Sequence, residues 1–262
     1  MSGRLVLVPN TLDFGVDGAS VDLQAVLPLE VIAAAAGITH WAAENAKTAR
    51  AFLKRVGAVR PLARPLQELE IRELPRPPKG GGGSGGGRLH DAGAEQAAAW
   101  RALLEPALAG HDVGLISEAG MAAVADPGAL LVEAAHRAGV AVLPLTGPSS
   151  LLLALAASGL NGQSFAFVGY LPVEAGARTA RIRELEALSQ RLGQTQLMIE
   201  TPYRNAALLQ ALLGALKPAT RLSVSCGLTL ADGFTRSARV ADWRAAPTVL
   251  PDKVPAVFAL LA

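Results

Sequence analysis

The sequence contains few of the residues that mark several common classes of protein. Aromatic residues make up only 4% of its 262 residues, which argues against a surface built for stacking the bases of a single-stranded nucleic acid. The single cysteine, Cys226, excludes an intramolecular disulfide and a cysteine-based metal cluster. The histidines lack the spacing of metal ligands, so no metal site is expected. They are His40, His90, His111 and His136.

Long apolar runs are also absent from the sequence. A membrane-spanning helix needs about 20 consecutive apolar residues, and the apolar stretches at 33–36 and 151–157 are much shorter. The apolar residues 5–8 are followed at once by Pro9, so the start of the chain does not resemble a secretory leader. We therefore expect a cytoplasmic protein that does not enter a membrane.

The sequence does contain enough apolar residues for a large core, and its charge is unevenly distributed. Hydrophobic residues make up 51% and charged residues 18% of the chain, which is typical of a folded protein. The formal net charge is +2. Residues 44–101 hold eleven Lys and Arg against six Asp and Glu, whereas the rest of the chain holds thirteen against sixteen. This basic segment is compatible with a solvated surface and with contact to a polyanion.

The order of the apolar patterns predicts an α/β fold with two α/β domains. In the first part, strands alternate with helices, which is typical of right-handed crossovers and a mostly parallel sheet with helices on both faces. The strands predicted there lie at 5–8, 38–43, 113–116 and 140–145, and the helices at 29–36, 48–56 and 130–138. After a helix at 151–158, short strands predominate near 165–168, 195–200, 222–226, 234–240 and 254–261, with helices near 179–191 and 203–216. We predict an N-terminal domain over 1–147, a C-terminal domain with a mixed sheet over 148–262, and a cofactor cleft between them.

A glycine-rich segment covers residues 80–87. It is not a Walker phosphate-binding loop, because no Gly-Lys-Ser/Thr follows it. We predict a flexible tether, which would be either a lid or an insertion tolerated at a loop tip, and we favour the insertion. The nearby His90 is a candidate general base, although a loop histidine is more often a solvated surface residue.

Small and polar residues follow the predicted strand at 113–116. Ser117, Ala119 and Gly120 are small enough to let the backbone approach a ligand closely, and Glu118 supplies an acceptor for a ribose hydroxyl or an ammonium group. Ligands of parallel sheets bind beyond the carboxyl ends of the strands. The sequence therefore predicts a ligand-binding loop at this position.

Three more turns have a similar composition. Asp126 is predicted to cap the next helix, with Pro127 at its first position. Ser149 and Ser150 start a helix after the strand at 140–145, which we expect to neighbour the strand at 113–116 and so to share its ligand. The turn at 200–204 joins a strand of the second domain to a helix.

With these turns in this order, the sequence resembles the tetrapyrrole (corrin/porphyrin) methylase superfamily of S-adenosylmethionine-dependent methyltransferases. Within it, the sequence is most similar to the ribosomal RNA small-subunit methyltransferase I branch, which methylates a ribose 2′-hydroxyl. The segments that carry the resemblance are 117–128, 144–159, 165–172, 200–204 and 44–50. The resemblance implies S-adenosylmethionine as the cofactor, a homodimer, and ribosomal RNA or the small ribosomal subunit as the partner.

The turns and the resemblance together assign candidate roles. Cofactor binding is assigned to Ser117, Glu118, Ala119, Gly120, Met121, Ser149, Ser150, Thr201 and Pro202. Substrate binding is assigned to Lys47, Arg50, Tyr203 and Arg204, with a structural ion pair as the alternative for Arg204. Glu44 and His90 are the candidate general bases for a hydroxyl acceptor.

Three segments depart from the RNA-methylating branch. Residues 8–13 read Val-Pro-Asn-Thr-Leu-Asp in place of Thr-Pro-Ile-Gly-Asn-Leu, residues 117–122 read Ser-Glu-Ala-Gly-Met-Ala in place of Ser-Asp-Ala-Gly-Thr-Pro, and residues 44–47 read Glu-Asn-Ala-Lys in place of Glu-Asp-x-Arg. Cofactor binding relies largely on backbone groups and should survive these changes. The acceptor stays open between RNA and a small molecule such as a tetrapyrrole. A cofactor-binding module without transfer activity is a further alternative.

Overall fold

The computed structural model describes residues 2–13, 21–75 and 94–262. Contacts divide them into two compact units, the first ending at residue 148 and the second covering residues 149–262. Each unit contains its own five-stranded sheet.

The first unit is an α/β layer structure with a wholly parallel sheet in the order β3-β2-β4-β1-β5. Its strands are β1 (Arg4–Val8), β2 (His40–Ala43), β3 (Glu70–Glu73), β4 (Val113–Ile116) and β5 (Ala141–Pro144). Its helices are α1 (Leu23–Val26), α2 (Leu29–Gly37), α3 (Ala46–Val59), α4 (Ala94–Ala102), α5 (Glu105–Leu108) and α6 (Ala129–Arg137).

Apolar residues on both faces of this sheet explain its helical covering. Successive strand residues point to opposite faces, so Val6 of β1 belongs to the core formed with α2 and α3, whereas Leu5 belongs to the core formed with α4, α5 and α6. Strands buried on both faces read as continuous apolar runs. This is why β1 and β4 were recognisable from the sequence, and the predicted fold class is confirmed.

The strand order corrects one expectation. We expected the strands before Ser117 and Ser149 to be neighbours, but β1 lies between β4 and β5 and pairs with both. The loop that follows β1 therefore lies between the other two loops at the carboxyl edge of the sheet. Residues 9–13, which the sequence pattern did not assign to the ligand site, therefore lie beside both predicted ligand loops.

The second unit has a mixed sheet in the order β6-β7-β10-β8-β9, in which only β6 and β7 pair in parallel. Its strands are β6 (Phe165–Tyr170), β7 (Thr195–Ile199), β8 (Arg221–Cys226), β9 (Phe234–Arg239) and β10 (Ala256–Leu261). Its helices are α7 (Ser150–Ser158), α8 (Ala175–Leu192), α9 (Asn205–Ala215) and α10 (Val240–Ala245).

This second sheet also has two apolar faces. Leu185 of α8 and Leu212 of α9 pack with Phe258 of β10 in the larger core. Ala154 and Leu155 of α7 pack against the opposite face. Within the described ranges, no helix combines the length and the apolar composition needed to cross a membrane.

Candidate cofactor-binding site

Asn10, in the loop after β1, holds the loop that follows β4. Its side-chain amide donates hydrogen bonds to the backbone oxygens of Ser117, at 3.2 Å, and of Glu118, at 2.9 Å. Its own backbone N–H donates to the Gly120 oxygen at 2.9 Å. Asn10 is buried, and its bond to the Ser117 oxygen is shielded from water. The predicted cofactor loop is therefore anchored by a residue that we had not assigned to the site.

The loop after β1 is in turn fixed by a partly buried ion pair. The Asp13 carboxylate accepts hydrogen bonds from Thr11, from the Val21 N–H at 2.9 Å and from the Arg55 guanidinium at 3.1 Å. Burial alone would raise the pKa of Asp13, but these hydrogen bonds outweigh it and hold the pKa below its usual value. Arg55 belongs to α3, so α3 and the loop after β1 are tied together.

Three carboxyl groups gather at the start of the loop after β4. Glu44, directly after β2, accepts the backbone N–H of Glu118 at 3.1 Å, and the negative charge of Glu44 acts on both Glu118 and Asp126. No Lys or Arg in the described ranges forms an ion pair with any of the three. We call Glu44, Glu118 and Asp126 the acidic cluster.

The acidic cluster shifts the protonation of two of its members. Burial and the neighbouring Glu44 raise the pKa of Asp126 to about 7, although interaction with the Ser117 hydroxyl opposes this, and Glu118 adds a further increase. Burial and the charge of Glu44 also raise the pKa of Glu118, although side-chain hydrogen bonds with Asn45 and Thr48 lower it in part. A strongly shifted pKa such as that of Asp126 is common at functional sites.

Asp126 does not have the role that the sequence predicted. Helix α6 begins at Ala129 with Gly128 at its N-cap position, and no side chain caps it. The chain instead passes through left-handed backbone at Gly120, Ala123 and Ala125, with φ of 69°, 66° and 64°. A glycine adopts this conformation freely, whereas an alanine is strained in it. The Asp126 side chain consequently faces Ser117 rather than the amide groups of the helix.

Ser117 and Gly120 are buried, while Glu118, Ala119 and Met121 are partly exposed.

The loop after β5 approaches the first strand closely. A Cβ added at Gly147 would lie 2.2 Å from the Cβ of Pro9. The predicted glycine at this turn is therefore required by packing.

The second unit contains the remaining predicted cofactor residues. Ser149 occupies the N-cap position of α7 but its hydroxyl makes no capping bond, and Ser150 is the first residue of the helix. Both are partly exposed. Their predicted contact with the cofactor stays a prediction, as does the cleft between the two domains.

The turn after β7 is held by an internal network. The buried Glu200 carboxylate accepts hydrogen bonds from the Thr201 N–H at 2.7 Å and from the Arg204 guanidinium at 2.6 Å. The Thr201 hydroxyl donates to Glu200 and accepts from Arg204, and its carbonyl accepts the Arg204 N–H. Pro202 opens a short 3-10 helix that leads into α9. Arg204 thus forms a structural ion pair, and Tyr203, which is 72% exposed, is the member of this turn that faces solvent.

The predicted substrate residues of the first unit lie on α3. Lys47 and Arg50 are exposed, and the helix begins after Asn45, whose side chain accepts the N–H groups of Lys47 and Thr48. Helix α3 therefore starts two residues after Glu44 of the acidic cluster. His90 and the glycine-rich segment at 80–87 lie outside the described residues.

Residues 29–242 match the family described as Tetrapyrrole (Corrin/Porphyrin) Methylases. The chain belongs to this family. The predicted resemblance to this family is thereby confirmed.

Within the tetrapyrrole methylase family, the chain is similar to proteins named ribosomal RNA small subunit methyltransferase I. The protein from Vibrio cholerae is 38% identical over 128 residues, which are 49% of this chain and 42% of the relative. The protein from Mesorhizobium japonicum is 41% identical over 120 residues, which are 46% of this chain and 40% of the relative. The matches thus span about two fifths of the length of these relatives.

Solved structures of methyltransferases share the fold over nearly the whole chain. The methyltransferase CobJ matches with a TM-score of 0.58 and 16% identity, covering 98% of this chain and 94% of that one. Uroporphyrin-III C-methyltransferase from Thermus thermophilus, complexed with S-adenosyl homocysteine, matches with a TM-score of 0.52 and 19% identity, covering 99% and 97%. At these identities the similarity establishes the fold.

The acidic cluster suits the cofactor of the tetrapyrrole methylase family. S-adenosylmethionine carries an ammonium, a sulfonium and a carboxylate group, and two ribose hydroxyls that need acceptors. Of these, the two cations and the hydroxyls are the groups that a carboxylate can bind. Carboxylates without a cationic partner offer both negative charge and acceptor oxygens. The left-handed Gly120, whose amide and oxygen bond to the loop after β1, keeps the backbone of this loop free of a bulky side chain. The residues present are therefore compatible with this cofactor.

Proposed function

We propose that this protein transfers the methyl group of S-adenosylmethionine to a ribose 2′-hydroxyl of small-subunit ribosomal RNA. The observation that carries the proposal is the similarity, at 38% identity over 128 residues, to a protein named ribosomal RNA small subunit methyltransferase I. The acidic cluster supports the methyl donor. The basic charge of residues 44–101 supports a polyanionic acceptor.

In this proposal, the first unit binds the methyl donor through the loop after β4. S-adenosylmethionine supplies an electrophilic methyl group on a positively charged sulfur. Glu44 holds the Glu118 amide, and Asn10 holds the loop carbonyls, so the loop is preorganised. Positioning of this kind can supply much of the acceleration of a displacement reaction.

A hydroxyl acceptor must also lose a proton. Asp126 suits this role at neutral pH, because a general base works best when its pKa is close to the pH of the reaction. Glu44, the base predicted from the sequence, already accepts the Glu118 N–H. We propose Asp126 as the proton acceptor, with Glu44 supporting the loop.

The test is methyl transfer to ribosomal RNA from a strain that lacks the gene. Purified protein and radiolabelled S-adenosylmethionine are incubated with small subunits isolated from the deletion strain. A parallel reaction uses RNA from the complemented strain, which should already carry the modification. We expect label in a single nucleotide of the RNA from the deletion strain, resistant to alkaline cleavage as a 2′-O-methylated position is. Label in no RNA fraction would refute the proposal.

A small-molecule acceptor is the second candidate. It is favoured by the departures at residues 8–13 and 117–122 from the RNA-methylating branch. The same reaction with a low-molecular-weight extract in place of subunits tests it, since label would then enter a small product. Tight cofactor binding in calorimetry without transfer to either fraction would instead support a binding module.

We also propose a homodimer. Phe165 and Phe167 lie on one face of β6, at an edge of the second sheet, and are 41% and 36% exposed. An exposed apolar face of this kind can pack against its own copy about a two-fold axis, which would cover both residues. Sedimentation equilibrium should give a dimer for the native chain and a monomer for the F165E/F167E variant.

A further inference from the structure

The segment formed by α3 and the residues after it carries only positive charge. Residues 46–64 contain six Lys and Arg and no Asp or Glu. One of the six, Arg55, is turned inward to Asp13. The other five are exposed, and they are Lys47, Arg50, Lys54, Arg60 and Arg64.

These five cations have no carboxylate partner in the part of the chain that the structure describes. Some cations on other helices do have one. Arg137 of α6 pairs with Glu133 at 2.5 Å, and Arg181 of α8 pairs with Glu184 at 2.7 Å. Helix α3 differs from these two helices because it contains no acidic residue, whereas α6 contains Glu133 and α8 contains Glu184.

Helix energetics do not explain the arrangement. Lys47 lies in the first turn of α3, where the helix dipole disfavours a positive charge. Arg50 lies three residues after Lys47 and four before Lys54, so the three share one face and repel each other. They extend over about two turns, roughly 10 Å along the axis. A bound polyanion would relieve both costs.

The position of this face relates it to the proposed reaction. Helix α3 starts two residues after Glu44, whose carboxylate holds the Glu118 amide of the cofactor loop. Its opposite face, with Phe52, Leu53 and Val56, is buried in the core and is not available for insertion into a lipid surface. The chemistry of the face therefore favours a nucleic-acid backbone over a membrane.

We propose that Lys47, Arg50 and Lys54 form a binding face for the phosphate backbone of the RNA. The inference rests on the proposed function for the identity of the acceptor. Contacts of this kind position a strand without reading its sequence. The face would hold the RNA beside the loop that binds the methyl donor, so that the acceptor ribose is presented to it.

The experiment compares the full-length protein with the charge-reversed variant K47E/R50E/K54E. A matched control, R183E/R191E/R239E, makes the same change of charge at exposed cations of the second unit. Binding to unmethylated small-subunit ribosomal RNA is measured over a range of salt concentrations, and S-adenosylmethionine affinity is measured by calorimetry. The neutral variant K47Q/R50Q/K54Q serves for the salt dependence, and replaces the charge-reversed variant if that one does not fold.

We expect the α3 variants to lose at least about tenfold in RNA affinity at physiological salt and to retain S-adenosylmethionine affinity within about twofold. In the neutral variant, the slope of log affinity against log salt concentration should become less steep by about 2. This corresponds to the loss of three phosphate contacts at about 0.7 each on a single strand. The control should bind RNA within about threefold of the native protein.

RNA affinity and salt slope that are unchanged in the α3 variants would overturn the inference, even if the native protein methylates RNA. It would also be overturned if the control lost as much affinity as the α3 variants, or if only binding to phosphatidylserine vesicles depended on these residues. A native protein that binds RNA through α3 but transfers no methyl group would refute the proposed function and leave this inference standing.

Discussion

Asn10 shows how a single buried side chain can organise the candidate site. Its amide satisfies two backbone oxygens of the loop after β4, those of Ser117 and Glu118. The residue was overlooked because a loop asparagine is usually explained by local turn formation. Its role depends on the order of strands, since β1 lies beside β4.

Replacing Asn10 with Ala should destabilise the protein by about 1–3 kcal/mol, because buried carbonyl oxygens lose their donors. It should also weaken S-adenosylmethionine binding by about tenfold, or about 1.4 kcal/mol. Asn161→Ala is the control, since Asn161 makes comparable turn bonds in the second unit. Chemical unfolding and calorimetry measure the two effects. Equal loss of cofactor affinity in both variants would contradict the assignment.

Asp126 should make stability depend on pH. Its pKa is raised to about 7 in the folded protein from about 3.9 in the unfolded chain. The folded state therefore favours the protonated carboxyl, and this stabilisation is complete below about pH 4 and is lost as the pH rises through about 7. Relative to Asp126→Asn, the native protein should lose about 1–2 kcal/mol between pH 4 and pH 8, after solvent screening of a partly exposed group. Urea unfolding of both proteins across this pH range tests the prediction. If the free energy of unfolding depends on pH in the same way for both, Asp126 does not titrate as stated.

Asp126 should also make cofactor binding depend on pH. Above about pH 7 the acidic cluster gains a negative charge, which attracts the sulfonium and ammonium groups of S-adenosylmethionine. We expect affinity to increase by several-fold between pH 6 and pH 8, and to increase less for S-adenosylhomocysteine, whose sulfur is neutral. Calorimetry with both ligands measures this. The pH dependence should be lost in Asp126→Asn, and its persistence there would place the titrating group elsewhere.

At the scale of secondary structure, Gly147 tests the packing of the loops at the carboxyl edge of the first sheet. A side chain at this position would meet the Pro9 ring, at 2.2 Å from its Cβ, and a proline ring cannot move aside as a flexible side chain can. We expect Gly147→Ala to cost about 1–3 kcal/mol, as overpacking does. Gly214→Ala in α9 is the control, because nothing lies within 4 Å of its added Cβ and helix propensity favours alanine. In thermal unfolding, we expect a lowered melting temperature for Gly147→Ala but not for Gly214→Ala.

The elements that could be predicted from the sequence are those that bury apolar residues. Strand β4 and helix α6 were recognised because their apolar spacing reflects burial. Strand β3, Glu70–Glu73, was missed because three of its four residues are charged, and its place at the sheet edge leaves it mostly exposed. The three-dimensional grouping of Glu44, Glu118 and Asp126 could not be read from the sequence either. It depends on which strands are neighbours, and no local pattern contains that information.

At the scale of the whole molecule, the two units are built around separate cores. The clusters of the second unit, which centre on Phe258 and on Leu155, draw all their members from residues 149–262. A unit with its own core can fold alone. The predicted boundary between domains at 147 and 148 can therefore be tested by dividing the chain.

We expect a fragment of residues 149–262 to unfold cooperatively, since it keeps both layers of helices on its sheet. A fragment that begins at residue 164 lacks α7 and thereby removes Ala154 and Leu155 from one face, exposing Leu197 and Val257 of the sheet to water. This shorter fragment should lose the cooperative transition or aggregate. Circular dichroism during thermal unfolding shows which of the two fragments has a cooperative transition. If neither fragment folds, the second core depends on residues of the first unit, and if both fold equally well, α7 is not part of the minimal unit. Only a cooperative transition confined to the longer fragment supports a boundary that places α7 with the second sheet.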